Sequence, residues 1–127
     1  MLAGYLAFQV VITHQSIHLA ARSLFSTVPL ILAGIIEEIP FRGYLLSTFE
    51  RRMPLFEASL LTAILFAVMH LPLWLSTGTN LIVSGIYVLW IASLLGFAVG
   101  WSRSLWSGII MHTFSNAAPL LLNGSPL

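Results

Sequence analysis

Apolar residues fill this chain in long blocks, and strongly polar ones are mostly confined to short interruptions between them. The blocks predict helices: Leu24 to Phe49, Leu55 to Leu75, Leu81 to Trp101 and Leu105 to Leu122. Each is near or above the roughly 20 residues that cross a bilayer. Met1 to Ala21 is apolar at both ends but carries Thr13, His14, Gln15, Ser16 and His18 in its middle. It reads as a first span, an interfacial helix, or the remainder of a helix from a longer parent. Arg22 closes it. Glu50-Arg51-Arg52-Met53-Pro54 reads as a membrane-edge loop, Ser76 to Asn80 as a polar turn and Ser102-Arg103-Ser104 as a short loop. Asn123 to Leu127 is a polar tail. The expectation is an all-α, multi-spanning transmembrane bundle of four to five helices. It forms one domain over residues 1–127, with its core at about 24–122.

Three details refine the helices. Pro40 has no N–H, so the carbonyl of Ile36 loses its helical partner and a kink is expected beside residue 40. Pro72 is expected to bend or end its helix. Ala92, Gly96 and Gly100 recur every four residues, a small-residue stripe that permits close approach of another helix. Five spans would put the Arg51/Arg52 and Arg103 loops on one side and Arg22 on the other. Three arginines against one make the first side cytoplasmic, with the N-terminus also inside.

Composition moves the reading from helical to membrane-embedded. Of 127 residues, 58% are hydrophobic and only 7% charged, with a mean hydropathy of +0.97. A soluble domain averages about 25% charged residues, so this chain could not cover its surface with polar groups. The net charge of +1, from five arginines and no lysine, is too small for a nucleic acid partner. The partner expected is the lipid bilayer, and the location an integral, multi-pass one in a bacterial-type plasma membrane. No cysteine is present, so thiol nucleophiles, thiolate metal sites and disulfides are excluded. The start M-L-A-G-Y-L-A-F lacks the positive region of a secretory signal and is counted as structure.

Against that background the charges sort into two groups. Those at 22, 50 to 52, 57 and 103 fall at predicted helix edges. Glu37, Glu38, Arg42, His70, His112 and Asn116 fall inside three apolar helices. An ionisable group at the centre of a membrane helix costs about 2.5–3.5 kcal/mol on the insertion scale. Glu38 and Arg42 are four apart and can neutralise each other on one helix face. Glu37 is turned about 100° away from Glu38, so it is left with proton-accepting capacity. Groups so costly to bury singly are expected to face one another across a common cavity. The competing reading is a structural ion pair between helices, with Glu37 incidental.

That set contains the parts of water-activating hydrolysis. A glutamate and a histidine can hold and deprotonate a water, while a second histidine and an asparagine can donate to an oxyanion. The same residues admit a second use: His70, His112 and one glutamate make a His₂Glu zinc shell. No H-E-x-x-H is present and no serine sits in a G-x-S-x-G turn. His14 and His18 share a helical face, but without a third ligand nearby they read as hydrogen-bonding groups. A proton or ion pathway would spread such groups across the bilayer, whereas these cluster at one depth.

The segments E-E-I-P-F-R (37–42), F-A-V-M-H (66–70) and H-T-F-S-N (112–116) resemble, in order, three motifs of the CPBP membrane protease family. Those motifs are E-E-x-x-x-R, F-x-x-x-H and H-x-x-x-N. The family includes the type II CAAX prenyl endopeptidases and the bacterial Abi or lysostaphin-resistance-like proteins. The resemblance implies an all-helical intramembrane protease that acts on peptide or membrane-protein substrates, lipidated ones among them. By that similarity Glu37 would be the general base and His70 its partner on the water. Glu38 and Arg42 would support the glutamate geometry, and His112 and Asn116 would stabilise the oxyanion. Members are often called metalloproteases, although a metal-independent glutamate mechanism has also been proposed. The resemblance therefore leaves a divalent metal such as zinc open. Members generally look longer, with more helices before the first motif. The rival from another class is a non-enzymatic immunity or partner-binding membrane protein on the same fold.

Overall fold

A computed structural model describes residues 24–123. The expected span at 1–21, with His14 and His18, lies outside the described residues. Four helices account for the described chain. They are α1 (Leu24–Glu38), α2 (Leu55–Thr77), α3 (Leu81–Ser102) and α4 (Leu105–Asn123). Among the described residues there is no strand, in keeping with the all-α expectation.

The helix carrying the carboxylates changes its winding beside them. α1 runs through Pro29 and passes at Ile39 into a π-helical segment, Ile39–Leu46, before a last α turn at Ser47–Phe49. Pro40 stands in the first turn of the wider winding. A proline breaks the i→i+4 ladder, and a switch to i→i+5 pairing is one way a helix continues past such a break. A change of pitch therefore begins directly after Glu38, where the sequence predicts the kink.

Pro72 does not end α2, which continues to Thr77 and closes on Gly78 in the left-handed conformation (φ 66°). The polar turn is therefore only 78–80, shorter than the sequence suggested. Asn80 opens α3 by accepting from the N–H groups of Ile82 and Val83, both at 3.1 Å. With connections this short, α2 packs against α3 and α3 against α4 as antiparallel neighbours.

α2 and α3 lock together along the small-residue stripe. A Cβ built on Gly96 would lie 3.1 Å from Ser59 Cβ, and one on Gly100 would strike Leu55. Ala92, the third member, is buried beside Ala63 and Phe66. A second cluster of Leu46, Ala58 and Val99 joins the π segment to the same pair. α1 packs against α4. The Glu50 carboxylate lies 3.7 Å from the Arg103 guanidinium, which puts the 50–54 and 103–104 loops at one end of the bundle.

The polarity of the packed molecule is inverted. Glu38, Arg42, Ser59, Thr62 and His112 are buried, whereas Ile36, Phe56, Met69, Ile82, Ile86, Trp106 and Ile110 are each more than 60% exposed. Water would not tolerate that outer surface, but hydrocarbon would. α2 and α3 are long and apolar enough to cross a membrane. Trp101 and Trp106 flank the Arg103 loop at 76% and 67% exposure, where indole rings anchor a membrane–water boundary.

Candidate active site

The site is built where the end of α1, the π segment, the middle of α2 and the middle of α4 meet. Glu38 is fully buried, and its Oε1 accepts two hydrogen bonds: from Arg42 Nη1 at 2.7 Å and from the His112 Nδ1–H at 2.8 Å. The first comes from one turn along the same strand of helix, the second from 74 residues away on α4. Arg42 Nη2 donates to the Ala92 carbonyl at 3.0 Å, which ties the group to α3. An uncompensated charge in such a place would be costly, so carboxylate and guanidinium hold one another there.

Glu37 is placed differently. Its side chain is 34% exposed and makes no short bond; its Oε2 lies 3.6 Å from His112 Nε2 and 4.0 Å from His70 Nε2. The ring tautomers follow from what the other nitrogens face. His70 Nδ1 lies 2.8 Å from the Phe66 carbonyl, which can only accept, so Nδ1 carries the proton. His112 Nδ1 likewise donates to the Glu38 carboxylate. In their neutral forms both rings therefore turn an Nε2 lone pair towards Glu37 Oε2, a buried atom without a hydrogen-bond partner.

One aromatic ring organises the arrangement. Phe66 stacks on His70 with centroids 4.6 Å apart and meets His112 edge-on at 5.7 Å. The Arg42 guanidinium lies 4.7 Å above its face, within cation–π range. Phe41 meets it edge-on at 4.9 Å. The sequence marks Phe66 as the turn partner of His70 but gives it no role. Nor does it reveal the Ala92 carbonyl, since a backbone acceptor leaves no trace in residue type.

The structure thus brings Glu37, Glu38, Arg42, His70 and His112 into one cluster. Asn116 sits one turn beyond His112 on α4, half-buried, and its side chain has no hydrogen-bond partner among the described residues. The charges at Glu50, Arg51, Arg52, Glu57 and Arg103 all lie at helix ends or in loops, away from the cluster.

Glu37, His70 and His112 are the residues with the donor chemistry for a divalent metal. Two ligands about 2.0–2.1 Å from one tetrahedral zinc lie about 3.3 Å apart. The Glu37 separations of 3.6 and 4.0 Å are wider, and among the described residues no group of three His, Cys, Asp or Glu side chains has the geometry to hold a metal ion. The zinc arrangement that the sequence allowed therefore does not fit this geometry.

What remains is the half-buried Glu37 carboxylate facing two imidazole nitrogens, with a buried Glu38–Arg42–His112 triad beneath. The chain matches the family described as type II CAAX prenyl endopeptidase Rce1-like over residues 19–118. No curated protein and no solved structure matches it.

Proposed function

The chain belongs to the Rce1-like family of type II CAAX prenyl endopeptidases, and on that premise we propose that it hydrolyses a peptide bond close to the membrane surface by activating water between Glu37 and His70. The family implies protease activity in a membrane. The finer mechanism rests on the contrast between an accessible pair and a buried support. The Glu37 and His70 side chains are 34% and 26% exposed, whereas those of Glu38 and Arg42 are fully buried. Reacting groups must meet substrate; the groups that aim them need not.

Two acceptors bridged by one water at about 2.8 Å each stand about 4.4 Å apart, close to the 4.0 Å between Glu37 Oε2 and His70 Nε2. Such a water donates one proton to each and keeps an oxygen lone pair for attack on the scissile carbonyl. Glu37 takes the proton as the water adds, then returns it to the leaving amine. His70 holds its tautomer through the Phe66 carbonyl, so its Nε2 stays an acceptor. With a second proton on Nε2, His112 would donate to the oxyanion alongside the Asn116 carboxamide. Glu38 and Arg42 act through position: they hold His112 and the start of the π segment in place.

The substrate class that goes with the family is a peptide carrying a lipid at its C-terminal end, presented from the bilayer to a multi-pass bundle. Reconstituted protein should cleave a quenched, farnesylated CAAX-type peptide, and Glu37→Ala and His70→Ala should each lower turnover by about 10²–10⁴-fold. Unchanged turnover in both variants would refute the assignment.

A further inference from the structure

α1 and α4 cross through two reciprocal notches, each one turn before a site residue. Gly34 precedes Glu38 by four positions, and Gly108 precedes His112 by four. A Cβ on Gly34 would lie 2.5 Å from Thr113 Oγ1, beside His112. A Cβ on Gly108 would lie 2.7 Å from Glu38 Oε2 and 2.7 Å from Val99 Cγ2. Glu38 Oε2 is buried without a hydrogen-bond partner, so only the missing side chain at 108 leaves it room.

We propose that Gly108 is a positioning residue of the reaction, setting through Glu38 the orientation of the His112 ring. The inference rests on the proposed hydrolytic reading for its effect on rate, but not for its effect on geometry. Glu38 cannot turn its carboxylate towards water, because it is fully buried between α1 and α4. Its Oε1 is committed to Arg42 and to His112, so any displacement of Oε2 moves the oxygen that fixes the His112 tautomer. A methyl group at 108 needs a displacement of several tenths of an ångström from a carboxylate with nowhere to go. His112 Nε2, 3.6 Å from Glu37, is then carried off its line to the reacting centre. Orientation errors of that size are enough to cost rate without cost in binding.

The experiment compares wild type, Gly108→Ala, Glu38→Asp, the double variant and Gly85→Ala in nanodiscs. The readouts are the imidazole ¹⁵N resonances of His112 and turnover of a quenched, farnesylated CAAX-type peptide. Aspartate is one methylene shorter and withdraws the carboxylate from the notch. Gly108→Ala is expected to shift the His112 Nδ1 resonance and to lower kcat at least tenfold with KM unchanged. In the Glu38→Asp background the same substitution should leave the His112 resonance where Glu38→Asp alone puts it, Val99 Cγ2 being the contact that remains. Gly85 has open space around its Cβ position, so Gly85→Ala should leave the His112 resonance and turnover at their wild-type values. If Gly108→Ala alone does not fold, recovery of folding in the double variant is the expected result. An unmoved His112 resonance in Gly108→Ala, or equal shifts in both backgrounds, would overturn the proposal. Wild-type protein that cleaves nothing, with the His112 shift still present, would defeat the protease reading and leave the notch standing.

Discussion

Glu38 Oε1 lies 2.8 Å from His112 Nδ1, which joins the last residue of α1 to the middle of α4 inside an apolar bundle. The same oxygen also holds Arg42. Three groups that hydrocarbon rejects are thereby converted into one neutralised unit, and the accessible Glu37 and His70 are left above it. Its energetics can be measured apart from activity.

Removing one partner from that unit should be costly. Arg42→Ala leaves Glu38 buried with only His112 to compensate it, and Glu38→Ala strands Arg42. Either change should destabilise the fold by about 3–5 kcal/mol. Unfolding by SDS titration in mixed micelles would measure this, and wild-type stability in both variants would contradict the buried ion pair.

Phe66 offers a different kind of test, because it carries no chemistry of its own. Phe66→Leu keeps apolar bulk but removes the ring under Arg42 and the stack on His70. A loss of about 0.5–2 kcal/mol in stability is expected from the cation–π contact. The larger effect should fall on kcat, with KM near wild type, since the ring orients rather than binds. A pure KM change would place Phe66 in substrate recognition instead.

The glycines of α3 are predicted to separate by place rather than by type. Gly96 lies against Ser59, so Gly96→Leu should force α2 and α3 apart and lower thermal stability sharply. Gly85 meets nothing within 4 Å, and Gly85→Ala should stabilise the helix by about 0.5–1 kcal/mol. The two unfolding midpoints should move in opposite directions.

Chelation tests the spacing around Glu37. Since its Oε2 stands 3.6 and 4.0 Å from two imidazole nitrogens, turnover should persist after exhaustive dialysis against EDTA. Loss of activity that stoichiometric zinc restores would show that the three side chains close around an ion during the reaction.

Much of this was open to reading in one dimension. Glu37, Glu38 and Arg42 stand out because lipid penalises charge, so their presence in an apolar run signals a purpose. Glu38 and Arg42 meet along one helix, and a spacing of four is enough to pair them. The stripe of Ala92, Gly96 and Gly100 announces a close helix contact for a similar reason. The π winding from Ile39 to Leu46 was not legible: proline signals a break in the ladder but not which repair the helix adopts.

The sequence by itself determined that four described helices form, that they favour lipid, and which polar residues sit within them. Those are local properties, set by hydropathy and by spacing along the chain. Only the tertiary structure decided that Glu38 rather than Glu37 bonds His112, that Phe66 lies under Arg42 and beside both imidazoles, and that Gly108 yields its space to a carboxylate. These depend on how helices distant in sequence rotate and cross, and no periodicity within one helix specifies the face that a distant helix will present to it.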